Sequence, residues 1–396
     1  RFAGYDEMPY RGWESVTVPG AVSAWVALSE RFGKLPFADL FGPAIGYAND
    51  GFIVTPVIAE LWRRAAGDLG HYPGFAETFL PHGKAPRAGE RFFNKPLAKT
   101  LQLIAQTKGE AFYKGTLADA ICDCALEHGA ALNRDDMAAH KVDWCGTLSK
   151  KFDALELHEI PPNGQGITAL MALGILSHTR IRELNSDDPL AIHLQVEAIK
   201  LALVDAETYV ADDKYMSEVT SKNLLDEAYL ARRAALIDET CAQDFKIGAP
   251  INGGTVYLTA ADASGMMVSF IQSNYAGFGS GIAIPGTGIA MQNRGAGFSL
   301  DPASPNVVGP KKRPFHTIIP GFLMGPNGPL MSFGVMGGPM QAQGHVQMVL
   351  RTQVWGQDPQ MAVDAPRWRF VEGLKLACED VMPAATLKYL AQIGHL

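Results

Sequence analysis

The chain has 396 residues with a formal net charge of −7, and hydrophobic residues make up 47% of it. Such a chain can bury a substantial core, which excludes intrinsic disorder, and an acidic chain without a basic stripe is not an ordinary nucleic-acid binder. The apolar runs are short and interrupted by Gly, Pro or charged residues, so no membrane span is expected.

Apolar residues recur at helical spacing through the first two thirds of the chain. This pattern predicts helices around residues 22–28, 97–104, 117–124 and 192–203. His193 falls on the polar side of the last stripe, where a structural role is expected rather than a metal ligand. Asn133 is predicted to cap a short helix, and the loop 160–166 to open another at about Ile167.

The character of the sequence changes near residue 250, where β-forming residues become frequent. Residues 255–261 and 266–274 are predicted to form a hairpin around a turn at 262–265. Further strands are predicted at 316–324 and 330–335, beyond a Pro-rich loop at 302–312. Helices followed by strands indicate an α+β fold with layered packing.

The usual cofactor and metal signatures are missing from the sequence. The five cysteines follow no zinc or CxxC spacing, which predicts free thiols in a reducing compartment. The Gly-rich run 277–281 has Ile282 where a dinucleotide fingerprint needs its third glycine. We therefore expect no cofactor and no metal. The compartment is unknown from the sequence, with the cytoplasm favoured over the periplasm.

One arrangement has the features of an activated nucleophile. Asn252, Gly253 and Gly254 run directly into Thr255, at the start of a predicted strand. If the chain is cut between Gly254 and Thr255, the new α-amine can act as base for the Thr255 hydroxyl. The glycines also permit the backbone geometry that an N→O acyl shift requires. Taken alone, a Thr after two glycines is more often a plain hairpin residue.

At these residues the chain resembles the γ-glutamyltransferase family of N-terminal-nucleophile hydrolases. Matching segments follow the family's order at residues 16–22, 35–36, 43–45, 110–115, 161–166, 255–265, 278–281, 285–289, 312–314 and 337–338. The resemblance implies a four-layer αββα sandwich and a proenzyme with a large-subunit-like region, 1–254, and a small-subunit-like region, 255–396. Family members extend beyond both ends of this sequence, so a partial chain is expected.

The resemblance also assigns roles to individual residues. Thr255 would be the nucleophile, released by cleavage after Gly254, and Ser273 stands where members carry a Thr that hydrogen-bonds it. Gly337 and Gly338 match the family's oxyanion-hole glycines.

Several substrate-binding positions depart from the family pattern. Tyr275 stands where transpeptidases have an Asn, Arg294 replaces a Gln, and Gly297 replaces an Asp that pairs with the substrate ammonium. His316 and Thr317 replace a pair of serines that grip the α-carboxylate. Losing an acid and gaining a guanidinium favours a substrate that has a carboxylate but no ammonium, as in the oxamate amidohydrolase and glutaryl-cephalosporin acylase branches.

The sequence thus predicts a self-processing Thr amidohydrolase that cleaves an amide of a small anionic substrate. Its partners would be that small molecule and its own second subunit, with no nucleic acid and no membrane. Two alternatives stay open at this point. One is a true γ-glutamyl transferase or glutathione hydrolase, and the other is an unprocessed, inactive relative kept for binding.

Overall fold

The structure, a computed structural model, describes residues 1–246, 248 and 254–396. The chain divides into two compact units, the first of Arg1–Trp144 with Asn274–Ala296 and the second of Cys145–Ser273 with Gly297–Leu396. Within the described ranges, no helix combines the length and apolarity that a bilayer crossing requires. The predicted division at residue 255 concerns cleavage of the chain and stays a prediction.

The fold is a mixture of helices and strands, as an α+β class predicts. The helices are α1 (Ala21–Phe32), α2 (Gly42–Asp50), α3 (Pro56–Leu69), α4 (Phe75–Phe79), α5 (Lys95–Thr107), α6 (Glu110–Lys114), α7 (Thr116–Glu127), α8 (Arg134–Ala139), α9 (Gly166–Leu176), α10 (Pro189–Tyr209), α11 (Ser221–Leu224), α12 (Glu227–Ala234), α13 (Met340–Val349), α14 (Pro359–Asp364) and α15 (Ala384–Gln392).

The strands form small sheets. They are β1 (Phe52–Ile53), β2 (Arg91–Phe92), β3 (Leu148–Phe152), β4 (Leu155–Glu159), β5 (Gly254–Ala261), β6 (Met267–Tyr275), β7 (Ala283–Ile284), β8 (Ile289–Ala290), β9 (Gly321–Gly325), β10 (Gly328–Phe333), β11 (Trp368–Glu372) and β12 (Lys375–Cys378). Four strands pair in the order β10-β9-β4-β3, and the others pair as β1-β2, β5-β6, β7-β8 and β11-β12.

The first unit is mainly helical. Helices α5 and α7 bury one apolar face each, with Ile104 and Ile121 almost fully enclosed. Helix α8 begins at the predicted cap, because Asn133 accepts from the Asp136 amide and the Asp136 side chain accepts from the Asn133 amide. A separate aromatic cluster joins Trp62, Phe79, Phe92 and Phe278.

The second unit is built around two helices that are enclosed along most of their length, of which α9 is apolar on nearly every side. Every residue of α9 is buried, and α10 buries most of its length. Helix α9 packs against α10 on one side and against strands β3 and β4 on the other. A helix without a polar face is stable only in such an interior position.

The structure corrects one sequence expectation and agrees with two others. The strand predicted at 316–324 forms only from Gly321 onward, because Pro320 has no amide to donate to a sheet ladder. His193 shares one face of α10 with Glu197 and Lys200, the polar side that the sequence predicts, and all three side chains are buried. The five cysteines are free thiols, as predicted.

His193 belongs to a buried hydrogen-bonded group. Its Nε2 lies 2.8 Å from the Asp238 carbonyl and its Nδ1 lies 2.8 Å from His395 Nε2. A carbonyl only accepts, so in the neutral ring Nε2 donates to Asp238 and Nδ1 accepts from His395. Burial, together with Lys200 and His193, lowers the pKa of His395 from 6.5 to about 3.

Among the described residues, His193, Glu197 and His395 have ligand atoms within 4.8 Å of one another. The ammonium of Lys200 lies 2.7 Å from Glu197 Oε1, and both side chains are fully buried. That ammonium already neutralises the carboxylate, so the group is a paired element of the core and not a cation site.

The lowered pKa of His395 predicts how stability depends on pH. Below pH 6.5 the unfolded chain protonates His395, whereas the folded chain does so only near pH 3, so the free energy of unfolding should fall as pH drops through that window. In the His395→Gln variant, the amide can still donate to His193 but does not titrate. Urea unfolding between pH 7 and 4 should therefore show that the free energy of unfolding changes less with pH in the variant than in the wild type. An equal pH dependence of the two proteins would contradict the assignment.

Candidate active site

Thr255 lies at the start of β5 with its hydroxyl between two polar side chains. Its Oγ1 donates to Ser273 Oγ at 3.2 Å, on the paired strand β6. The same Oγ1 accepts a long hydrogen bond of 3.4 Å from Gln341 Nε2, on helix α13. The structure thus brings the predicted site residues Thr255 and Ser273 together, and it adds Gln341 to them.

The direction of the Thr255 side chain follows from strand geometry. Side chains alternate along β5, so Thr255 and Tyr257 share one face, while Val256 lies on the other and is 61% exposed. The Tyr257 hydroxyl bonds Ser269 Oγ at 2.9 Å, and Ser269 Oγ donates to the Gly321 carbonyl at 2.9 Å. This chain of bonds ties β5 and β6 to β9 and keeps the Thr255 face directed inward.

Gly337 and Gly338 form the turn that leads into α13. Both have positive φ, 122° and 61°, a conformation that favours glycine. The Gly338 carbonyl accepts from the backbone N–H of Gln341 at 3.0 Å and from Gln165 Nε2 at 2.9 Å. The turn is therefore held from two sides, although the predicted role of its N–H groups as an oxyanion hole stays a prediction.

Gln165 connects this turn to the predicted substrate-binding pair. Its Nε2 also donates to the Thr317 carbonyl at 2.6 Å, and its backbone N–H donates to the His316 carbonyl at 2.9 Å. The His316 ring packs on Gly164, where a Cβ atom would lie 2.8 Å from His316 Cε1. The loop 160–166 therefore positions His316 and Thr317 through backbone contacts.

The other two predicted substrate residues, Tyr275 and Arg294, lie in the first unit. The guanidinium carbon of Arg294 is 4.9 Å from the centre of the Tyr275 ring, an attractive cation–π distance. Burial lowers the pKa of Arg294 to about 10, with Tyr275 and Tyr10 acting in the opposite direction. Arg294 therefore keeps its positive charge at neutral pH.

Gly297, where transpeptidases have an Asp, leaves no room for a side chain. A Cβ atom at this position would come against the Phe315 carbonyl oxygen at 2.2 Å. The backbone at this position therefore excludes any side chain, an acidic one included.

Asn252 and Gly253 lie outside the described residues, and Gly254 is described as the first residue of β5. The predicted cleavage between Gly254 and Thr255 stays a prediction.

Comparison with known proteins identifies the family of the chain. The sequence model described as Gamma-glutamyltranspeptidase matches residues 2–396. The chain belongs to the gamma-glutamyltranspeptidase family. It is 36% identical to an oxamate amidohydrolase proenzyme of Klebsiella pneumoniae and 34% identical to a glutathione hydrolase-like YwrD proenzyme of Bacillus subtilis, covering all of this chain and 76% of each relative.

A solved structure shows the same fold. The cephalosporin acylase from Bacillus halodurans superposes with a TM-score of 0.93 at 43% identity, covering 99% of this chain and 73% of that one. The chain is thus an enzyme of the N-terminal-nucleophile hydrolase fold, and gamma-glutamyltranspeptidase family members include acylases and amidohydrolases.

Sequence reasoning missed Gln165 and Gln341. A signal for the second was present, since helix α13 carries glutamines at 341, 343 and 347 in a stretch that is otherwise mainly apolar. Buried amides need partners, and such a density predicts a helix that bonds to neighbouring chain segments.

Gly334 gives a test of how β5 is held. A Cβ atom there would lie 2.5 Å from Tyr257 Cδ2, so Gly334→Ala must displace the ring and should lower the free energy of unfolding by about 1–3 kcal/mol. Gly277→Ala is the matched control, because its Cβ atom meets nothing within 4 Å. Urea unfolding measures both variants, and equal stabilities would contradict the close packing of Tyr257.

Proposed function

We propose that this protein is a self-processing Thr amidohydrolase that cleaves the amide of a small anionic substrate through an acyl-enzyme. The observation that carries the proposal is the Thr255 hydroxyl, held at the start of β5 between Ser273 and Gln341. The relatives support processing, because the two relatives described above are both named as proenzymes.

Self-cleavage needs no external protease. Thr255 Oγ1 attacks the Gly254 carbonyl carbon, the Gly254–Thr255 C–N bond breaks, and the hydroxyl proton ends on the departing nitrogen. Water then hydrolyses the resulting ester, which leaves a Gly254 carboxylate and a free Thr255 α-amine.

Turnover of substrate uses the same oxygen. The Thr255 α-amine accepts the hydroxyl proton as Oγ1 attacks the substrate amide, and the leaving amine takes a proton as its C–N bond breaks. The N–H groups of Gly337 and Gly338 would bind the oxyanion, and water would release the acid.

Charge supports an anionic substrate. Arg294 supplies a partly buried guanidinium, and the backbone around Gly297 excludes the acid that would favour an ammonium. A guanidinium binds carboxylates in a planar, two-point geometry. The similar oxamate amidohydrolase is named for a small amide that carries a carboxylate, which agrees with this substrate class.

A glutathione hydrolase is the second candidate, because the similar YwrD protein is named as glutathione hydrolase-like. The two candidates differ in the ammonium group of the substrate. Rates with oxamate or glutaryl amides against γ-glutamyl anilides distinguish them, and faster turnover of the anilides would favour the second.

The purified protein should separate into pieces 1–254 and 255–396 without a protease. Denaturing electrophoresis and intact mass should show two pieces for the wild type and one for Thr255→Ala, which lacks the attacking oxygen. Ser264→Ala, in the turn after β5, is a control that should process normally. A wild-type chain that stays whole through long incubation would indicate the unprocessed binding relative instead.

Arg294→Gln should lower kcat/KM for an anionic amide by roughly 10²-fold, on the order of 3 kcal/mol for a charged hydrogen bond. Self-cleavage should be retained, because it does not use the substrate carboxylate. Arg91→Gln removes the same charge from an exposed position on β2 in the same unit and should leave kcat/KM unchanged. Full activity of Arg294→Gln would exclude Arg294 as the anion-binding residue.

A further inference from the structure

Helix α13 carries three buried glutamines. Gln341 and Gln343 are fully enclosed, and Gln347 is 5% exposed. A buried primary amide destabilises the folded protein unless its oxygen and its NH₂ group both have hydrogen-bond partners. The partners of each glutamine therefore indicate its role.

Two of these amides bind the backbone of strand β11. Gln343 accepts from the Phe370 amide at 2.8 Å and donates to the Phe370 carbonyl at 3.3 Å. Gln347 likewise accepts from the Trp368 amide at 3.4 Å and donates to the Trp368 carbonyl at 3.0 Å. These glutamines fasten α13 to β11, which is a structural task.

Gln341 also accepts a hydrogen bond from a backbone N–H, but its NH₂ group donates to a different kind of partner. Its Oε1 accepts from the Ile319 amide at 3.2 Å. That backbone N–H can only donate, so it fixes which end of the amide is oxygen and directs the NH₂ group toward Thr255 Oγ1 at 3.4 Å. Gln341 therefore donates to the side-chain hydroxyl of the candidate nucleophile, whereas Gln343 and Gln347 donate to backbone carbonyls.

We infer that Gln341 is a catalytic residue that holds and activates the Thr255 oxygen. Thr255 directs its proton to Ser273, and Gln341 donates to the oxygen that remains. A hydrogen bond to an oxygen that is losing its proton stabilises the developing negative charge. The same bond restricts the Thr255 side chain to one rotamer before the attack. This inference rests on the proposed function of Thr255.

Matched glutamate variants separate the catalytic task from the structural one. In Gln341→Glu and Gln343→Glu the carboxylate can still accept from its backbone N–H, at Ile319 or Phe370, while the NH₂ donor is lost. After cell-free synthesis, the appearance of the piece 255–396 is followed by electrophoresis, and melting temperatures are measured in parallel. Gln341→Glu should slow self-cleavage about tenfold or more, and Gln343→Glu should stay within about threefold of wild type.

Gln341→Met, which has a similar shape and no amide, is the second variant. It should be slow in self-cleavage, and any processed enzyme should show a lower kcat with an unchanged KM, because the lost bond is to the nucleophile and not to substrate. If wild type cleaves itself and both Gln341 variants match Gln343→Glu in rate, the inference is wrong while the proposed function stands. If wild type does not cleave itself at all, the proposed function fails first.

Discussion

The hydroxyl of Thr255 has a fixed direction, and the candidate site is arranged around that constraint. Strand alternation places it on the inner face of β5, together with Tyr257. The bonds from Tyr257 through Ser269 to Gly321 attach this hairpin to the four-stranded sheet. Because the sheet packs on the fully buried helix α9, the Thr255 hydroxyl is supported by the most enclosed part of the second unit.

Buried side-chain amides hold the groups that would contact a substrate. Gln165 holds both Thr317 and Gly338, so the predicted substrate-binding pair and the predicted oxyanion turn share one side chain. Gln341 follows Gly338 by about one helical turn, and its side chain donates a hydrogen bond to Thr255. Buried amides with fixed partners suit this purpose, because a misplaced one would leave polar groups unsatisfied. In the proposed function, specificity would depend on residues that differ from the transpeptidase pattern, chiefly Arg294 and Gly297.

Local signals in the sequence predicted local structure well. The helix cap at Asn133 and the hairpin that begins at Thr255 both depend on residues close together in the chain. Long-range contacts were beyond such reasoning. Residues around His316 pair with the loop at Gly164 instead of continuing β9, and His193 is buried because neighbours from distant segments enclose α10. The partners of Gln165 and Gln341 were missed for the same reason, since a glutamine in a helix does not reveal what it bonds.

The most direct test of the account is the mass of the enzyme during turnover. Processed protein is mixed with an anionic amide, quenched in acid within the first turnover, digested and analysed by mass spectrometry. We expect the acyl group as an ester on the peptide that begins with Thr255, and its amount should rise before steady state is reached. Steady turnover with an acyl group on another residue would contradict the central claim that Thr255 is the nucleophile.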